Sequence, residues 1–237
     1  MDRPMPPEPP AGTLGRYARQ LAALVLKDLR LESRRRETLI GVLVFVLLVL
    51  ALFQFALDLE RDAARRLVPG LLWLTLLFAG LLALGRTFAA ERDQGTLDGL
   101  LVAPLDRSAL YLAKVITTVL FMGAVELVAL PVFAAVFDVP LLSPGVVCTV
   151  LLGTVGFAAA GTLFAALATQ TRARDVLLPL LLLPLLVPLL IAAARATDDL
   201  LAGAATPVTA PWWELLAGLS ALFLGAAVLL FEALLEE

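Results

Sequence analysis

The sequence has no histidine among its 237 residues and a single cysteine, Cys148. One cysteine cannot form an internal disulfide or a cysteine-rich metal site. The absence of histidine removes the commonest metal ligand and general base. We therefore expect no metal site and no catalytic residue in this chain. A Gly-x-x-x-x-Gly-Lys-Ser/Thr stretch is also missing, so nucleotide phosphates cannot be held in a P-loop and any energy from ATP must come from a partner.

Charged residues are scarce: they make up 16% of the sequence, whereas 61% is hydrophobic. A soluble domain has about 25% charged residues. The charges cluster, and the apolar stretches between the clusters have the length of about 20 residues that a bilayer-spanning helix needs. The sequence therefore predicts an all-α membrane protein in which residues 38–237 form six transmembrane helices, at 38–57, 70–90, 109–137, 145–168, 176–194 and 212–235.

The N-terminal region differs from the rest of the chain. Residues 1–12 are rich in proline, which predicts a disordered tail. Residues 13–37 predict an amphipathic helix in the membrane interface, with one apolar face made of Leu14, Tyr17, Leu21, Leu24, Val25 and Leu29. Two roles remain open for this helix: an anchor on anionic membrane lipid, or the binding of a partner.

The distribution of lysine and arginine predicts the orientation. With the N-terminus in the cytoplasm, 14 of the 18 basic residues lie on the inner side, as the positive-inside rule requires. We therefore predict a multi-pass protein with both termini cytoplasmic. Trp73, Trp212 and Trp213 then lie at the outer interface, as in an aromatic belt.

Reporter fusions test this topology. Each fusion site follows from the six predicted spans and the charge asymmetry. Fusions should report an outer location at Asp62, Ser143 and Asp198, and an inner location at Gln94, Arg172 and Glu237. A cytoplasmic signal at Asp198 contradicts six spans.

The most informative segment is 91–107, between the second and third predicted spans. Four leucines at helical spacing predict one face of a short helix. Thr96 is placed to cap the start of this helix and Pro104 to end it. Gly95 has no side chain and so adds no bulk beside the backbone. The leucines are Leu97, Leu100, Leu101 and Leu105, and the flanking charges are Glu91, Arg92, Asp106 and Arg107. Such a helix is either the coupling element of a transporter or an interfacial helix without a partner.

Some polar and proline residues lie within the predicted spans. Three prolines, Pro179, Pro184 and Pro188, predict a kink or hinge in the fifth. Glu126 and Lys114 in the third are possible functional residues, because a charge inside a membrane is costly and must be explained. They are twelve residues apart, roughly 18 Å along a helix, which is too far to pair.

Glu126 also raises the alternative of an intramembrane enzyme, although no second carboxylate or histidine lies at reactive spacing. Small residues of the fourth span, including Gly153 and Gly156, predict close helix packing. We favour packing within one chain, with a homodimer seam as the alternative.

Residues 91–104, read as Glu-Arg-x-x-Gly-Thr-Leu-x-x-Leu-Leu-x-x-Pro and followed by Lys114, resemble the cytoplasmic segment of type-2 ABC exporter permeases. The proline-rich stretch 174–191 and the compact six-span size resemble the haem exporter protein B (CcmB) family. The resemblance covers about residues 21–194. Glu126 and the proline-rich tail have no match in it.

The resemblance implies a permease subunit acting in cytochrome c maturation at the bacterial inner membrane, in haem export or haem delivery to a periplasmic chaperone. Its implied partners are an ABC ATPase subunit (CcmA-like), which holds ATP and Mg²⁺ and contacts segment 91–107, and CcmC-like and CcmD-like membrane subunits. No nucleic acid is implied. Without histidine the chain is poorly equipped to ligate haem iron, so we expect haem to be held by another subunit. The alternatives are a permease of another type-2 exporter, for a drug, lipid or polysaccharide, and a non-transporting membrane scaffold.

Overall fold

The computed structural model describes residues 13–34, 36–56, 61–93, 107–168, 174–204 and 206–234. Within these ranges every regular element is a helix, and the all-α prediction is confirmed. The seven helices described are α1 (Thr13–Arg34), α2 (Arg36–Ala56), α3 (Arg61–Asp93), α4 (Arg107–Phe137), α5 (Pro144–Ala168), α6 (Arg174–Leu201) and α7 (Thr206–Leu234).

Six of these helices are long and apolar enough to cross a membrane, which confirms the predicted number of spans. Their apolar parts are Arg36–Ala56, Arg65–Gly85, Ser108–Phe137, Pro144–Ala168, Leu178–Leu201 and Val208–Leu229. The bounds differ most in α3, which begins several residues before the predicted span, and in α6, which continues seven residues beyond it. Backbone hydrogen bonding does not stop where hydrophobicity falls, so composition marks helix ends poorly.

Helix α5 lies at the centre of the bundle and packs against α3, α4, α6 and α7. Its glycines permit this close packing. A Cβ added to Gly153 would lie 2.3 Å from the ring of Trp73 on α3, and one added to Gly156 would lie 2.6 Å from both Leu189 on α6 and Ser220 on α7. The small residues of α5 therefore pack helices of one chain, as the sequence analysis favoured.

Helix α6 contains Pro179, Pro184 and Pro188 yet is continuous over Arg174–Leu201. It packs against α3, α5 and α7, and such neighbours allow proline within a membrane helix. The helix ends in a Schellman motif: the N–H of Gly203 (φ +76°) donates to Leu200 O, and that of Ala204 to Asp199 O. The kink or hinge that the three prolines predict in this helix remains a prediction.

Two tryptophans join helices at one end of the bundle. The indole N–H of Trp73 donates to Thr197 Oγ1 at 3.0 Å, linking α3 to α6, and that of Trp213 donates to Thr149 Oγ1 at 2.8 Å, linking α7 to α5. Trp73 is only 4% exposed. Its ring fills the space beside Gly153, and its polar atom is satisfied inside the bundle. The location of the three tryptophans at the outer interface remains a prediction.

Candidate functional site

The predicted coupling segment lies largely outside the described residues. This applies to positions 94–106, and hence to Gly95, Thr96, Leu97, Leu100, Leu101, Pro104 and Asp106. Its flanks are described: Glu91 and Arg92 belong to the last turn of α3, and Arg107 is the first residue of α4. The segment therefore begins in the last turn of α3 and ends at the first residue of α4, so it joins these two membrane-spanning helices directly.

Helix α1 packs across the first half of α4. Leu24 on its apolar face is buried in a cluster with Leu110 and Tyr111 of α4. The hydroxyl of Tyr17 is hydrogen-bonded to that of Ser108 at 3.2 Å. The apolar face of α1 thus contacts protein, and its predicted position in the membrane interface remains a prediction.

A buried ion pair joins the same two helices. Lys114 Nζ lies 2.9 Å from Asp28 Oδ2, and both side chains are 7% exposed. The other oxygen of this carboxylate, Oδ1, lies 3.2 Å from Nζ of Lys27, whose side chain is 36% exposed. A buried charge is costly unless it is paired and hydrogen-bonded, so the Asp28–Lys114 pair explains how a lysine is accommodated inside α4.

A cavity beside this ion pair is too small to hold a substrate. It has a volume of about 10 Å³ and is lined by residues of α1, α3 and α4, among them Glu32, Lys114, Thr117 and Thr118. Such a volume admits no more than about one water molecule. The polar cluster around Lys114 thus lies at a joint where α1, α3 and α4 meet.

Glu126 lies at a separate joint. It is 3% exposed, and its carboxylate accepts a hydrogen bond from the hydroxyl of Thr154 on α5. This agrees with the expectation that a carboxylate at this depth faces another helix rather than lipid. Glu126 and Lys114 have different partners and are not brought together. The functional role of either residue remains a prediction.

We predict that Glu126→Ala lowers the free energy of unfolding by about 2 to 3 kcal/mol, because it leaves a cavity and removes the acceptor of the Thr154 hydroxyl. Glu126→Gln should cost less than about 1 kcal/mol, since the amide oxygen can still accept this bond. Thermal unfolding in detergent micelles measures both, with Thr154→Val and the double variant completing a cycle. If Glu126→Ala is as stable as the parent chain, the contact between Glu126 and Thr154 does not stabilise the packing of α4 on α5. A Gln variant with normal folding and normal activity removes Glu126 from the functional residues.

Sequence reasoning missed both partners. Asp28 lies four residues after Leu24 and seven after Leu21, so it interrupts the apolar face of α1. An acidic residue within an apolar stripe signals a buried partner, and this signal was present in the sequence. Thr154 gave no comparable signal, because threonine is common in membrane helices and satisfies itself on its own backbone.

The described residues contain no group of three or more His, Cys, Asp or Glu side chains that could hold a metal ion. Two buried charged groups have partners on another helix: Asp28 pairs with Lys114, and Glu126 accepts a hydrogen bond from the hydroxyl of Thr154.

The chain matches known proteins along most of its length. The family model described as CcmB protein matches residues 19–235. Similar proteins, each named heme exporter protein B, occur in Paracoccus denitrificans (36% identity over 191 residues, 80% of this chain and 87% of that protein) and Pseudomonas aeruginosa (34% over 181 residues, 76% and 81%). The protein of that name in Escherichia coli K12 is 34% identical over 205 residues, covering 85% of this chain and 90% of its own length. The resemblance found in the sequence is thus confirmed, and the chain belongs to the CcmB protein family.

Proposed function

We propose that this chain is the transmembrane permease subunit of an ABC transporter acting in cytochrome c maturation, where it serves haem export or haem delivery to a periplasmic chaperone. The observation that carries this proposal is the family match over residues 19–235, together with relatives named heme exporter protein B. The chain is a multi-pass membrane protein of a transport family rather than an enzyme, and it works in a haem-exporter complex with other subunits.

A separate ATPase is part of the proposal. The sequence has no P-loop lysine motif, so ATP and Mg²⁺ are bound by an ABC ATPase subunit (CcmA-like). Segment 91–107 joins α3 and α4 directly, and this connection supports its role as the contact through which the ATPase moves the spans. This role requires both termini of the permease to be cytoplasmic, in the inner membrane.

The haem iron is ligated elsewhere in the complex. Haem iron is held in proteins by histidine, cysteine, methionine or tyrosine, and this sequence has no histidine and one cysteine. Tyr111, a conceivable ligand, is fully buried and donates its hydroxyl to Ala159 O at 2.9 Å. We therefore assign the iron ligands to another subunit, such as a CcmC-like protein, with a CcmD-like subunit completing the assembly.

The experiment is complementation of a bacterial strain that lacks its own gene of this family. The tagged chain, expressed with the ATPase of the proposed complex, should restore covalently bound haem in c-type cytochromes and should co-purify with the ATPase. If the chain reaches the membrane but restores no c-type cytochrome, the proposal fails and another type-2 exporter function takes its place.

A second arm uses an ATPase variant that binds but cannot hydrolyse ATP. Maturation should stop if the chain is a driven permease. If maturation persists, the chain is a membrane scaffold rather than a transporter.

A further inference from the structure

Helix α1 is attached to α4 at two points. One is the hydrogen bond between Tyr17 and Ser108, and the other is the ion pair between Asp28 and Lys114. Along α1 the two points are eleven residues apart, about 16 Å of helix. Two contacts so far apart restrict sliding and rotation of α1 against α4 more than either contact would alone. We call this two-point attachment the clasp.

The ion pair does more than hold the two helices in contact. Apolar side chains of similar volume often stabilise a protein as well as a buried ion pair does, and α1 already buries Leu24 against α4. Leucine contacts between helices tolerate a shift along the helix, whereas a buried charge must meet its partner. The pair therefore selects one register between α1 and α4, which is the best attested role of buried polar groups.

The position of the clasp connects it with the coupling segment. Ser108 and Lys114 lie within the first eight residues of α4, which begins at Arg107, the last residue of that segment. A displacement of the segment towards or away from the membrane must move these residues first. Because α1 is fixed to the same residues, it moves with them.

We propose that Asp28 and Lys114 are positioning residues of the coupling apparatus, whose ion pair makes α1 and the start of α4 one body when an ATPase drives segment 91–107. This inference rests on the proposed function. It assigns to the N-terminal helix a mechanical role in transmitting force, in addition to any anchoring on lipid.

Charge reversal tests the pair. Asp28→Lys and Lys114→Asp should each lower c-type cytochrome formation at least about tenfold, because a buried charge without its partner depopulates the clasped state. Both single variants should still co-purify with the ATPase, and the ATPase should still hydrolyse ATP, although maturation is lost. The exchange of both residues should restore most of the lost maturation. Lys27→Met is the matched control: its side chain is partly exposed, and solvent screening makes its pairing with Asp28 weak, so maturation should stay near normal.

Cross-linking provides a measurement that leaves the ion pair intact. Cys148 is the one cysteine of the sequence, so a Cys148→Ser chain carrying Tyr17→Cys and Ser108→Cys presents only two thiols. A short bifunctional thiol reagent should join α1 to α4 in membranes, the cross-link taking the place of the Tyr17–Ser108 hydrogen bond. Maturation by the cross-linked chain should be at least that of the same cysteine variant before cross-linking, because the two helices move as one body.

Three outcomes overturn the proposal. These are normal maturation by both single charge-reversal variants, an exchanged pair that reaches the membrane at the parent level without restoring maturation, and loss of maturation on cross-linking. The parent chain in the same strain distinguishes failure of the proposed function from failure of the clasp. If the parent chain does not support maturation, the proposed function is wrong. If the parent chain and both single variants support maturation, only the clasp is wrong.

Discussion

Replacing Leu100 and Leu101 with aspartate is expected to abolish ATP-dependent maturation of cytochrome c while leaving the six spans folded. Both leucines lie on the predicted apolar face of the coupling segment, which suits insertion into a groove of the ATPase. Two unpaired carboxylates in such a groove would cost about 3 kcal/mol or more, at least about a hundredfold in affinity. The substitutions lie between α3 and α4 rather than within either helix, so the spans should persist.

Co-purification of the ATPase and the amount of haem bound to c-type cytochromes measure this effect. The matched control is Val102→Asp with Ala103→Asp, which adds the same charge on the opposite face of the predicted helix. Only the leucine variant should lose the ATPase. If that variant binds the ATPase and supports maturation normally, segment 91–107 is an interfacial helix and not the coupling contact.

Gly153→Leu is expected to prevent stable folding of the bundle. Any Cβ at this position meets the ring of Trp73 at 2.3 Å, a distance at which one of the two groups must move. The ring has little freedom, since it is buried and its N–H is bonded to Thr197. Overpacking of this kind costs about 1 to 3 kcal/mol and occasionally more, and a leucine adds further atoms beyond the Cβ.

The matched control is Gly218→Leu on α7. Gly218 is exposed, and a Cβ there meets nothing within 4 Å. This variant should be as stable as the parent chain or slightly more stable, because leucine favours a helix over glycine by roughly 0.8 kcal/mol. Thermal unfolding in detergent and the yield of folded protein compare the two. Equal yields and melting temperatures of the two variants refute close packing of α5 on Trp73.

The six spans were predictable because they depend on local properties. A run of about 20 apolar residues is recognised in any window of the sequence and must become a helix in a membrane. Close packing by Gly153 and Gly156 followed from the same kind of pattern. Helix ends were less predictable, as at the start of α3 and the end of α6, where helices continue past the apolar run.

The polar pairs were not predictable in the same way. Lys114 and Glu126 stood out as charges within a span, yet the sequence did not reveal Asp28 and Thr154 as their partners. Asp28 is 86 positions from Lys114 and Thr154 is 28 from Glu126. Such partners depend on which faces of two helices meet, and no local window contains that information.

The sequence by itself determined the membrane class, the number of spans and the family, because hydrophobicity and motif spacing are properties of contiguous residues. Only the tertiary structure decided that Trp73 is a core residue bonded to Thr197, that α5 is the central helix, and that α1 is fixed to α4 by a buried ion pair. The physical reason is that a buried charge or indole N–H must find a partner, and that partner is set by the packing of helices distant in sequence.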